Sequence, residues 1–146
     1  MQVNIRHPSH RKVIFFSHDE LACKKTGEVI LAEGFADELA LLRIAFNRRM
    51  VVNSCCRSAE HNRTMMPKGH PRSLHVHDEQ HVYNDSRYHD FSGCAAIDIR
   101  TPDIVYARQL VDIALRRGWS VGVAKHFIHL DRRDYAGLEA GVFGYG

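Results

Sequence analysis

No stretch of this 146-residue chain approaches the ~20 consecutive apolar residues that a membrane-spanning helix needs. Its start, Met1-Gln2-Val3-Asn4-Ile5-Arg6-His7-Pro8, has no apolar centre of the kind a secretion signal carries. We therefore expect no membrane insertion, synthesis in the cytoplasm without a signal peptide, and another route for any work outside. Cysteine is scarce and irregular: Cys23, Cys55, Cys56 and Cys94 form no Cys-x-x-Cys pair. That spacing suggests neither a zinc knuckle nor a disulfide scaffold, so reduced thiols are expected, with Cys94 a small buried residue. Charge of one sign is slight, at +3 net with a pI near 8.8. Such a balance suits an anionic polymer but is ordinary for an enzyme, and no recognition helix or aromatic platform points to nucleic acid. Repeats, low-complexity tracts and linkers are absent as well. One domain spanning residues 1–146, and a monomer, are the expectation.

Histidine is what the chain has in excess: 11 in all, with His70, His75, His77, His81 and His89 in one twenty-residue window. Imidazole titrates near neutrality and is the commonest metal ligand. The run His126-Phe127-Ile128-His129-Leu130-Asp131 adds two more, with a carboxylate, inside strand-like apolar sequence. Burying ionisable groups there costs several kcal/mol unless something pairs with them, and a metal ion is the obvious partner.

Around these residues the patterning is readable. Ser17 and Glu20 have capping-box spacing after the apolar run Val13–Phe16, which predicts a short helix. Phe35, Leu39, Leu42, Ile44 and Phe46 recur at mostly helical spacing between Ala32 and Arg48. Met50–Asn53 reads as a buried strand, followed by a polar loop, Ser54 to Asn62, leading into a helical turn. Residues 64–94 lack periodicity and are punctuated by Pro67, Gly69 and Pro71; a stretch of that length is usually functional or disordered. Ala95–Ile99 is an apolar strand holding Asp98. Thr101-Pro102-Asp103 then predicts a helix capped by Thr101, with Ile104, Ala107, Leu110, Val111, Ala114 and Leu115 as its buried stripe and Gly118 as its end. Two strands follow, Trp119–Val123 and Phe127–Leu130, before a Gly-rich tail. With a single helix between its strands the order does not repeat βαβ units, and we expect an α+β domain: a small, largely antiparallel sheet with helices packed on it.

Three segments hold candidate ligands: Ser73-Leu74-His75, Ala96-Ile97-Asp98-Ile99 and Phe127-Ile128-His129-Leu130-Asp131. Two imidazoles and a carboxylate are a known catalytic zinc set. Three protein ligands leave a fourth position for water, whose pKa the metal lowers to about 7, and the set implies hydrolysis. Here the sequence resembles the zinc D-Ala-D-Ala carboxypeptidases and L-alanyl-D-glutamate endopeptidases that cut peptidoglycan stem peptides, phage endolysins among them. The family pattern is an S/T-G-Y-R-S loop, then S-x-H-x-x-G-x-A-x-D, then a late H-x-D strand. Ser54-Cys55-Cys56-Arg57-Ser58 with Asn62 looks like the first motif, Ser73-x-His75 with Ala96-x-Asp98 like the second, and His129-x-Asp131 like the third. The likeness runs in order from about Phe16 to Asp131.

That resemblance implies a zinc site at the sheet with His75, Asp98 and His129 as ligands. Arg57 would hold a substrate carbonyl or carboxylate, a role that suits an always-charged bidentate fork. Two departures stand out. The first histidine and the aspartate are 98 − 75 = 23 positions apart where the family has seven, and Cys94 stands at the expected glycine. His89 and His77 thus remain alternatives to His75, although Ser73 accompanies only the last. The second departure is His126, three positions before the last ligand, where relatives generally carry a carboxylate as general base. A neutral imidazole can do that job, and Asp131 is the other proton carrier, or else a carboxylate that orients a ligand ring. The resemblance implies a zinc peptidase acting on peptidoglycan peptides, at the cell wall after release or as a virion component. The alternative is a metal- or wall-binding module of the same fold that has lost its base.

Overall fold

The computed structural model describes residues 1–145. Two short strands near the start, β1 (Ile5–Arg6) and β2 (Ile14–Phe16), pair antiparallel as a separate two-stranded sheet. The predicted capping box follows: Ser17 Oγ accepts from the Glu20 amide and Glu20 accepts from the Ser17 amide, which starts α1 (His18–Leu21). The long helix α2 (Phe35–Phe46) buries Phe35, Leu39, Leu42 and Phe46, whereas Ile44, expected in the same stripe, is exposed. Its position, two residues on from Leu42, turns it to the other side of a 3.6-residue repeat.

The main sheet has five strands, β3 (Val52–Ser54), β4 (Ala96–Arg100), β5 (Ser120–Val123), β6 (Phe127–Asp131) and β7 (Val142–Gly144), in the order β3-β4-β6-β5-β7. Its first three pairings are antiparallel, as expected. The last is not: β7 runs parallel to β5, with Gly122 opposite Phe143, so the sheet is mixed. The glycine-rich tail hides this strand in the sequence.

Strand parity then sorts the sheet into two faces. Ile97, Ile99, Val121, Ile128 and Leu130 are fully buried and pack with α2 and with α4 (Ile104–Arg116) into the single core that also holds Trp119. Asp98, His129 and Asp131 point to the opposite face. The helix α4 starts later than the sequence suggests. Asp103 is the N-cap, its carboxylate accepting from the Tyr106 amide at 2.8 Å, while the Thr101 amide donates to the His126 carbonyl and prolongs the β4–β6 ladder. The buried stripe shifts with the cap to Tyr106, Leu110 and Ala114, leaving Ile104 and Leu115 exposed.

A register irregularity between Val52 and Ser54 sets Ser54 opposite Asp98 and sends the chain over the polar face. Ser58 caps the short helix α3 (Ala59–Thr64) just beyond, accepting from the His61 amide. The stretch 64–94, without periodicity in sequence, is tied down by scattered bridges. Arg57 and Val76 form one: the Arg57 amide donates to the His75 carbonyl and the His77 amide to the Arg57 carbonyl. Further along, His81 pairs with Phe91 and the Ala95 amide donates to Leu74.

Candidate metal centre

The β4–β6 register places Asp98 directly opposite His129, and the Arg57–Val76 bridge brings His75 over the same face. All three are buried, and each offers one ligand atom within 4.8 Å of the others. Asp98 Oδ1 lies 3.2 Å from His75 Nε2 and 2.8 Å from His129 Nδ1. The outward nitrogens are engaged elsewhere. His75 Nδ1–H donates to the Cys55 carbonyl at 2.6 Å, and His129 Nε2–H donates to Asp131 Oδ2 at 2.8 Å. Each ring thus has its tautomer set from outside, leaving Nε2 of His75 and Nδ1 of His129 turned inward with the carboxylate. Such outer contacts are the usual support of a metal-binding imidazole, and by this test the donor set fits a cation.

Electrostatics follow from that packing. Burial opposes ionisation of Asp98, but the charges and hydrogen bonds of His75 and His129 outweigh it and hold the carboxyl well below its usual range. For His129 burial works against the imidazolium, yet Asp131 and Asp98 together push its pKa up to about 9. Asp131 is itself lowered, by His129 and by Arg133 against the cost of burial. Arg133 reaches it by a fork, Nε to Oδ1 at 3.0 Å and a terminal nitrogen to Oδ2 at 2.8 Å, with the Arg133 amide adding a third bond. Every oxygen of Asp131 is thereby committed, and its place is behind His129.

The expected residues fall into three groups. His75, Asp98 and His129 come together; Arg57 joins them, with its guanidinium 3.7 Å from Asp98 Oδ2 and hydrogen bonds to Ser54 Oγ and Asn62 Oδ1. His77 and His89 do not. The His77 ring turns away to accept the Ile30 amide, and His89 is exposed with its amide on Ala136. His126 also stands apart, on the exposed β5–β6 turn with a ring that makes no hydrogen bond among the described residues.

Three contributors were not anticipated. Arg133 is one, and its offset of two from Asp131 was the available signal. The others are Phe143 and Tyr145 of the last strand region, whose rings lie 5.8 and 5.9 Å from the His129 ring. They cover Gly122, where a Cβ would come within 2.6 Å of Tyr145 and 2.7 Å of Phe143, so a side chain at this position would have to displace these rings. Burial, then Asp98 and Asp131, push the Tyr145 phenol up to about 12, and it keeps its proton as a hydrogen-bond donor.

A second buried group, Cys55, Cys56 and Cys94, has the same property of converging ligand atoms. Both groups could hold a metal ion. No family model, no curated protein and no solved structure matches this chain.

Proposed function

We propose that this chain is a zinc-dependent peptidase that hydrolyses peptide bonds in peptidoglycan stem peptides, of the D-Ala-D-Ala carboxypeptidase or L-alanyl-D-glutamate endopeptidase type. One observation carries the reading: a buried carboxylate between two imidazoles whose outer nitrogens are already fixed by acceptors. Burying carboxylates costs several kcal/mol of hydration each, and the converging donor atoms of His75, Asp98 and His129 would let a cation offset part of it. His75, Asp98 and His129 would hold zinc, which when bound polarises a carbonyl and acidifies water.

The chain's own residues supply the rest. Arg57 is half-buried and tethered by Ser54 and Asn62, with its other terminal nitrogen toward Asp98, and its remaining N–H groups would bind a substrate carbonyl or terminal carboxylate. Asp131, clamped by Arg133, fixes the His129 ring and its tautomer. Phe143 and Tyr145 pack beside the His129 ring, and the protonated Tyr145 hydroxyl would donate to an oxygen that gains charge. We assign proton transfer to His126, whose ring makes no hydrogen bond among the described residues.

That last role is also where a second reading takes hold. Because His126 stands apart from the three ligands, the chain would equally serve as a metal-holding, wall-binding module without hydrolysis. Purified protein assayed for zinc and for release of amino groups from muropeptides separates the two. The peptidase reading expects about one zinc at this site and cleavage that disappears in His129→Ala. Wall binding without cleavage supports the module, and cleavage that survives His129→Ala sinks the metal mechanism.

A further inference from the structure

We propose that Cys55, Cys56 and Cys94 form a second, structural metal site for a thiophilic d10 cation, held by three thiolates and closed to solvent. The three sulfurs arrive from two directions. Cys55 and Cys56 lie in the loop that leaves β3, and Cys94 lies at the entry to β4, 94 − 55 = 39 residues away from its nearest contact. All three side chains are buried, and their sulfurs lie within 4.8 Å of one another.

The Cys55–Cys94 separation of 3.7 Å is informative. Three sulfurs around one ion at metal–sulfur bonds of ~2.3 Å need sulfur–sulfur edges of about 3.8–4.0 Å, between tetrahedral and trigonal geometry. Ordinary core cysteines have no reason to converge three at a time, since each thiol packs as well against carbon.

The surroundings match a closed site. His77, buried in the adjoining loop, lies within hydrogen-bonding reach of Cys56, and its Nδ1 accepts the Ile30 amide at 3.2 Å. That acceptor role leaves Nε2–H as the donor, so His77 serves as an outer partner of the Cys56 sulfur rather than a ligand. Cys94 Sγ already spans Cys55 and the Ala96 carbonyl, and the Cys55 carbonyl in turn accepts from His75. The thiolate site would therefore pin the loop segment that orients His75 and carries Arg57. On binding, three S–H bonds give up their protons to solvent and three S–metal bonds form, with no oxidant needed. Soft thiolate donors favour copper(I) or zinc(II) over harder ions.

The test uses full-length reduced protein carrying His75→Ala and His129→Ala, so that it does not depend on the first site or on peptidase activity. Cobalt(II) serves as the divalent probe and copper(I) as the monovalent one. We expect thiolate-to-cobalt charge-transfer absorption that saturates at about one equivalent, or uptake of about one copper(I) that displaces the cobalt; the ion held more tightly identifies the site's type. Cys56→Ser should abolish the signal, Cys94→Ala should weaken it at least tenfold, and Cys23→Ser should leave it intact, with circular dichroism confirming that each variant folds. Metal should also raise the unfolding midpoint of the parent but not of Cys56→Ser. Absence of thiolate-bound ion with both probes overturns the proposal, as does a signal that persists in Cys56→Ser.

Discussion

Strands β4 and β6 present two faces built from alternate residues of the same ten positions, and the faces obey different rules. On one, Ile97, Ile99, Ile128 and Leu130 meet the helices and are buried without polar partners to satisfy. Each such side chain contributes ~1.5–3 kcal/mol through area alone, and a neighbour of similar volume would serve. On the other, Asp98, His129 and Asp131 are also buried but survive there only as a connected set: Asp98 to His129, His129 to Asp131, Asp131 to Arg133. Removing one member leaves a buried charge without its partner. A face that is costly to keep and needs every member is where function, rather than stability, sets the residue.

The comparison breaks if substitutions on the two faces have the same consequence. The largest effect is expected from Asp98→Asn, which keeps the shape but removes the charge shared by both rings. Zinc affinity, measured against a competing chelator, should fall by well over the ~100-fold typical of losing an outer partner. Leu130→Ala, one residue from His129 but on the apolar face, should cost ~2–5 kcal/mol in denaturant unfolding and leave zinc affinity little changed. If Leu130→Ala instead lost the metal at unchanged stability, the separation of the faces would be wrong. Asp131→Asn tests the connection within the polar face. It should lower zinc affinity by ~10–100-fold, because the His129 ring then loses its negatively charged anchor. An unchanged affinity would mean that Asp131 does not orient His129.

How much of this was legible in sequence differs between the faces for the same reason. The apolar face follows from period-two patterning, and Ala95–Ile99 and Phe127–Leu130 were readable within a residue of β4 and β6. The three candidate ligands, His75, Asp98 and His129, stand out in sequence because their residue types and order are unusual in apolar context, and the fold brings them together as a group that could hold a metal ion. Choosing His75 over His77 and His89 needed the Arg57–Val76 bridge, a contact between loops that leaves no periodic trace. The cap of α4 was misplaced by two residues, since Thr101 and Asp103 are both good caps and only the β4–β6 ladder decides between them. Cys94 was read as a small buried residue standing where a glycine was expected. That it meets Cys55 and Cys56 depends on tertiary placement of a loop 39 residues earlier, which spacing could not reveal.

The smallest expected effect contrasts two buried imidazoles rather than two faces. His129 sits between carboxylates and is driven up, whereas His81, in the loop between His75 and Asp98, packs against the Phe91 ring at 4.6 Å and its Nε2–H donates to the Gly93 carbonyl at 2.8 Å. Burial is the largest influence on His81 and lowers its pKa from the ordinary 6.5, with the Gly93 and Val76 carbonyls pulling weakly the other way. The unfolded chain therefore binds the proton more readily than the folded one. The stability this ring contributes is present above its unfolded pKa and is lost as pH falls below about 6.5 toward the folded value. His129 has the reverse sign: without metal, its contribution is full below about 6.5 and is lost as pH rises through about 9. Denaturant midpoints of wild type and His81→Gln, taken from pH 7 down to 5, isolate the first term. Glutamine cannot take up the proton, so wild type should lose more stability than the variant over that range, and exchange of the Phe91 amide, bonded to the His81 carbonyl, should quicken with it. Parallel curves for the two proteins would show that His81 is not buried as a neutral ring, and that the segment between His75 and Asp98 is held by something other than its pairing across His81 and Phe91.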